Sequence, residues 1–244
     1  MSDYNTHYAQ GRVAAQGAAQ VDAGLRAYML GIYNYMGLAL LLTGVVAYGV
    51  GSYAEANPAV AQTLFGSPLK WVIIFAPLAV VMGLSFGINR LSASTAQLLF
   101  WLYAGLVGLS LSAIFLVYTN ESIARTFFIT AAAFGALSLY GYTTKTDLTA
   151  FGKFLFIGLV GLIIASLVQL FMQSSALQFA ISVIGVFIFA GLTAYDTQRL
   201  KQEYYEGYEG ETAAKMSILG ALSLYINFIG MFQFLLTFLG QKEE

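Results

Sequence analysis

From Phe154 to Tyr195 the chain reads FLFIGLVGLIIASLVQLFMQSSALQFAISVIGVFIFAGLTAY, without one charged side chain. A helix rises about 1.5 Å per residue and must cross about 30 Å of hydrocarbon, so roughly 20 uncharged residues make one span. This run is about twice that length, and Gln173-Ser174-Ser175 near its middle is a turn signal. It therefore predicts two spans joined by a tight hairpin.

The same ruler divides the rest of the chain. Ala27 to Ala54, Trp71 to Asn89, Leu91 to Asn120 and Thr126 to Thr144 are four further uncharged runs, and Met216 to Gln241 is the last. The expected fold is an all-α integral membrane protein, a seven-transmembrane-helix bundle. Residues 1–26 form a polar N-terminal tail without the layout of a cleaved signal peptide. Residues 27–241 form a single transmembrane domain, and 242–244 a short C-terminal tail.

Composition agrees, with 59% apolar and 9% charged residues against roughly 45–50% and about 25% in soluble domains. Tyr33, Tyr48, Tyr53, Trp71, Trp101, Tyr118, Tyr140 and Tyr142 flank the spans, where amphipathic rings sit at headgroup level. Gly83-x-x-x-Gly87 in the second span is a candidate for close helix packing, and Pro77 in that span is a candidate kink. Arg12, Arg26, Arg90, Lys145, Lys153, Arg199, Lys201 and Lys215 fall on the side of the N-terminus; Lys70, Arg125 and Lys242 fall on the other. The positive-inside rule then places the N-terminus in the cytoplasm and the C-terminus outside the cytoplasmic membrane.

Several functions are excluded. A net charge of −1 without a basic cluster argues against nucleic acid. The absence of cysteine removes disulfides, thiol nucleophiles and thiolate metal sites. His7, the only histidine, lies in the polar tail, so no His-ligated metal or Ser-His-Asp triad can be assembled.

Asp196 closes the sixth span in Leu192-Thr193-Ala194-Tyr195-Asp196-Thr197-Gln198-Arg199. At the C-terminal end of a helix a carboxylate meets the negative end of the macrodipole, so it needs a compensating partner. It either pairs with Arg199 among the headgroups, or turns into the bundle toward an ion, a proton or a base such as Arg90. In the seventh span Ser217, Gly220, Ser223, Asn227 and Gly230 recur at steps of three or four, a stripe that should face protein. Asn227 is its costly member, since an amide in hydrocarbon needs partners. Between these spans Glu203, Glu206, Glu209 and Glu211 form either a solvated loop or a cation-concentrating mouth.

Ala194-Tyr195-Asp196-Thr197-Gln198 and Ala221-Leu222-Ser223-Leu224-Tyr225-Ile226-Asn227-Phe228-Ile229 resemble the Bax inhibitor family, also called the transmembrane Bax inhibitor motif family. Val21-Asp22-Ala23-Gly24-Leu25-Arg26-Ala27-Tyr28-Met29 and Tyr33-Asn34-Tyr35-Met36 resemble its bacterial branch. The resemblance implies a central seventh helix surrounded by the other six, and a pH-dependent calcium leak without resident cofactor. It also implies a proton-sharing carboxylate pair between the sixth and seventh helices. Asp196 matches the first acid; the second falls at Asn227, which cannot ionise, so the expected pH switch is weakened.

The expected function is thus a cation leak, with calcium the expected ion, gated between the sixth and seventh spans. Asp196 is the gating carboxylate, Asn227 its partner, Arg90 a counter-ion, and Ser223 and Arg199 line the path. The alternative is a non-transporting regulator that binds membrane-protein partners, such as a membrane-bound protease. Tyr195-Asp196 is also similar to the first motif of intramembrane aspartyl proteases, but hydrolysis needs a second aspartate on the facing helix and the seventh span has none, so no enzyme is expected.

Overall fold

The computed structural model describes the backbone of residues 2–204 and 210–242, and side chains within them from Ala23 onward. His7, Arg12, Glu206 and Glu209 lie outside the described side chains.

Within hydrocarbon every backbone N–H and C=O must be satisfied inside its own segment, which leaves helices as the natural outcome for long uncharged runs. Among the described residues seven helices are long and apolar enough to cross a membrane. They are α1 (Ser2–Ala56, spanning over Ala23–Ala56), α2 (Leu69–Gly87), α3 (Ala93–Leu111), α4 (Asn120–Thr143), α5 (Thr149–Met172), α6 (Ser175–Glu203) and α7 (Gly210–Leu239). A 3-10 turn, Ser112–Leu116, prolongs α3, and a short helix, Pro58–Ala61, follows α1. α2 is continuous through Pro77.

The predicted hairpin between α5 and α6 is present. Gln173 ends α5 in the left-handed conformation, with φ of 47°. Ser174 then caps α6 by accepting from the Leu177 N–H at 3.4 Å. Ser92 and Thr119 cap α3 and α4 likewise, at 3.2 and 3.3 Å, each satisfying an N–H that the first helical turn leaves unpaired.

Several boundaries differ from the sequence expectation, three of them clearly for one reason: helices outrun the hydrocarbon once their charges can reach water or a partner. α4 begins at Asn120, six residues before the expected Thr126, carrying an Arg125–Glu121 ion pair of 2.9 Å on its exposed first turn. α7 begins at Gly210 rather than Met216. α6 runs past Tyr195 to Glu203, about two turns beyond Asp196. Asp196 therefore lies inside a helix and not at its end, and burial replaces the macrodipole as its cost.

Packing separates spans that face lipid from spans that face protein. The most apolar window, that of α5, is the least buried at 11%, whereas the α7 window is 56% buried. α7 packs chiefly against α6, α1, α4 and α3; α2 rests mainly on α3, and α5 on α6. Outward side chains such as Phe86, Phe128, Phe171 and Phe187 are more than two-thirds exposed, an arrangement suited to lipid and costly in water. Tyr48, Tyr53, Trp71 and Tyr140 are exposed, while Tyr33, Trp101, Tyr118 and Tyr142 are half-buried.

The Gly83-x-x-x-Gly87 pair is not a packing contact. A Cβ on Gly83 would meet nothing within 4 Å, and one on Gly87 only the Leu91 side chain at 3.5 Å. Close approach occurs at Gly108 of α3, where a Cβ would lie 2.7 Å from the Thr43 carbonyl oxygen and 2.9 Å from Val46 Cβ. Gly141 of α4 likewise abuts the Ala194 backbone of α6.

Gly108→Leu is expected to destabilise the bundle by at least the overpacking cost of about 1–3 kcal/mol, while Gly83→Leu leaves it unchanged. Thermal unfolding of the two variants in detergent checks this; equal melting temperatures would contradict the assignment.

Candidate functional site

α6 and α7 share the bundle's most extensive helix contact, and its polar centre lies near the Arg/Lys-rich end. Asp196 of α6 is buried, at 9% exposure, and Asn227 of α7 at 3%. Asn227 Nδ2 donates to Asp196 Oδ2 at 2.7 Å. Arg199, one turn after Asp196, places Nη2 3.0 Å from its Oδ1 and donates from the same nitrogen to Ser223 Oγ at 3.3 Å. Both carboxylate oxygens are thereby engaged, one by a cation on the same helix and one by an amide on the next.

The two alternatives left by the sequence are thus combined, since Asp196 is ion-paired with Arg199 and also turned toward α7. Arg90 takes no part. It is exposed in the turn after α2 and makes no ion pair among the described residues, so the counter-ion is Arg199. Spacing explains the outcome: Arg199 shares a helix with Asp196 at i,i+3, where side chains meet, whereas Arg90 belongs to a span that packs mainly on α3.

The stripe on α7 faces protein. A Cβ on Gly220 would run into Ile32 and Leu200, and one on Gly230 into Phe189; Ser223 and Asn227 hold the polar bonds between them. Of the loop carboxylates, Glu203 lies 3.8 Å from Arg199 Nε. Glu211 pairs with Lys215 at 3.1 Å and accepts from the Ala93 N–H at the start of α3. These two act as partners of nearby charges and donors.

Residues outside the sequence expectation complete the arrangement. Tyr225 is fully buried and lies 2.6 Å from Thr43 Oγ1. Thr43 uses its own proton on the Ala104 carbonyl at 2.9 Å, so the Tyr225 hydroxyl is the donor. Residues two apart on a helix point to nearly opposite faces. Accordingly α7 is held to α6 through Asn227 and, on its other side, to α1 and α3 through Tyr225. Tyr225 stands inside a quoted motif, but an aromatic in an apolar run shows no sign of its partner.

Gln198 is similar. Its side chain accepts from Leu148 N–H and donates to the Thr146 carbonyl, both at 2.8 Å, tying the α4–α5 loop to α6. Within that loop Asp147 accepts from the Thr149 N–H at 2.8 Å. Hydrogen bonding from Thr149, the side chain first, holds its carboxyl below the ordinary range.

A cavity of about 250 Å³ lies farther along α7, lined by Tyr103, Ser110, Phe189, Gly230 and Gln233 among others. Its lining includes Ile226, the chain neighbour of Asn227, and Gly230, on which the Phe189 ring rests.

These features define a polytopic membrane protein whose last two spans meet through a buried carboxylate, an amide and a guanidinium. The sequence model of the family described as inhibitor of apoptosis-promoting Bax1 matches residues 25–244, and the chain belongs to this Bax inhibitor-1 family. It is 48% identical to the inner membrane protein YbhL of Escherichia coli K12, over 92% of this chain and 95% of that one. It is 52% identical to an uncharacterized protein of Rickettsia prowazekii, over 91% and 93%, and 49% identical to one of Caulobacter vibrioides over the full length of both.

Asn227→Leu is expected to cost about 1–3 kcal/mol, because it removes the donor from a buried carboxylate oxygen. Tyr225→Phe is expected to cost about 1 kcal/mol, and more if Thr43 finds no other donor. Unfolding of both variants in detergent measures the two losses; a neutral Asn227→Leu would mean that Asp196 is not held as described.

Proposed function

We propose that the protein is a cation leak, with calcium as its ion, and that the contact between α6 and α7 is its gate. The carrying observation is the 2.7 Å bond between Asn227 and Asp196, a single hydrogen bond joining two spans at a carboxylate able to attract a cation. The cavity lined by Phe189, Ile226 and Gly230, beside this contact, supports the reading. Phe189 and Asp196 lie about two turns apart on α6, so a small shift of α6 against α7 would move the cavity lining and the polar contact together. The family resemblance points the same way.

Asn227 bears on pH dependence. Two facing carboxylates titrate as a unit because one resists ionisation beside the other; an amide removes that repulsion. The leak is accordingly expected to depend on pH, between pH 5 and 8, less steeply than it would with a facing carboxylate pair. Purified protein in calcium-loaded liposomes should release calcium faster than protein-free liposomes. Asn227→Asp should steepen the dependence on pH. Release equal to that from protein-free liposomes across this range would end the leak reading, and an unchanged profile in Asn227→Asp would remove the gate from this contact.

The basic residues favour insertion in the cytoplasmic membrane with the N-terminus inside, and the name of the Escherichia coli relative agrees with the membrane. Alkaline phosphatase fused after Glu244 is expected to be active and a fluorescent protein there dark; the reverse pattern would invert the topology.

One observation favours a second reading, a non-transporting regulator that binds other membrane proteins: both oxygens of Asp196 are satisfied within the protein. A stable co-purifying membrane partner together with no calcium release would select it. No enzymatic role is proposed, because α7 presents no carboxylate to Asp196.

A further inference from the structure

α1 and α4 both pack against α7 but make little contact with each other. At the Arg/Lys-rich end this seam opens into a cavity of about 610 Å³, lined by Arg26 and Tyr33 of α1 and by Phe134, Gly135, Ser138 and Tyr142 of α4, among others. Its body is apolar and opens sideways, where a membrane would supply hydrocarbon.

Ser138 is the anomaly in this lining. The residue is 6% exposed, and its buried Oγ has no hydrogen-bond partner. Other span hydroxyls, at Thr130, Ser166 and Ser182, each donate to a carbonyl four residues back at 2.8 Å. A hydroxyl left unpaired in hydrocarbon is costly, so a polar ligand atom beside it would be stabilised. The mouth carries positive charge. Arg26 is exposed there, with no ion pair among the described residues. Behind Tyr142, Lys201 Nζ sits 4.8 Å from the ring centroid and donates to the Tyr142 carbonyl at 2.8 Å. No carboxylate lines the cavity.

A ligand for this site needs an anionic head, a polar atom just below it and an apolar tail. Ser138 lies one turn below Tyr142, about 6 Å along the helix, a depth that suits the ester oxygens beneath a lipid phosphate. We propose that the cleft between α1 and α4 binds an anionic glycerophospholipid of the adjacent leaflet. Its phosphate sits against Arg26, an ester oxygen accepts from Ser138, and an acyl chain lies over Gly135 and Phe134. The site is independent of the leak and stands whether or not the protein conducts.

The test uses the full-length protein in nanodiscs of equal parts phosphatidylglycerol and phosphatidylcholine, followed by native mass spectrometry of the released protein. The wild type is expected to retain phosphatidylglycerol in preference to phosphatidylcholine. Arg26→Gln, at an exposed position that does not threaten folding, should weaken retention about tenfold, as expected for one charge-assisted hydrogen bond. Gly135→Leu should abolish retention without loss of thermal stability, since a Cβ there meets nothing within 4 Å. Gly83→Leu, open to lipid outside the cleft, should behave as wild type. Equal retention of the two lipids by the wild type, or full retention by both Arg26→Gln and Gly135→Leu, would overturn the site.

Discussion

A carboxylate taken out of water inside a membrane protein must find compensation within the protein, and the region around Asp196 is organised by that requirement. An unpaired charge there would cost several kcal/mol. Arg199 supplies the opposite charge from the same helix at 3.0 Å, and Asn227 supplies a donor from the next at 2.7 Å. The first bond is local and would form in an isolated helix. The second exists only when α6 and α7 stand in one register, so it specifies their alignment as well as stabilising it. Ser223, bonded by the same guanidinium, fixes that register at a second point one turn away.

The opposite face of α7 is held by a neutral device, Tyr225 to Thr43 to the Ala104 carbonyl. The two attachments differ in how they respond to the surroundings. The hydroxyl chain carries no charge, so pH leaves it intact. The Asp196 contact joins a carboxylate to a guanidinium and an amide.

Lipid explains the remaining composition. Where protein surrounds a span, as at α7, the residues are small, polar or aromatic and their bonds are internal. Where a span is mostly outward-facing, as at α5, the residues are mostly apolar and its few polar side chains, such as Ser166 and Gln169, bond within the hairpin itself. Glycine follows the same division: at Gly108 and Gly141 its missing side chain admits a neighbouring backbone, whereas at Gly83 it faces open space. A glycine spacing therefore identifies an opportunity for packing and not a contact.

The number of spans, their order and the hairpin at Gln173-Ser174 were legible in the chain because each is a local consequence of length, charge and hydrogen bonding. Asp196 and Asn227 stood out for the same reason: a polar group in an apolar run is visible as a cost. Other features required coordinates. The pattern could not show that α6 continues to Glu203, since a helix ends where its partners and solvent allow. Nor could it choose Arg199 over Arg90, or pair Tyr225 with Thr43 and Gln198 with the α4–α5 loop. Those assignments depend on which helix faces stand opposite each other. That is settled by the packing of all seven spans together, because a hydrogen bond has no energy until both partners occupy the same few ångströms.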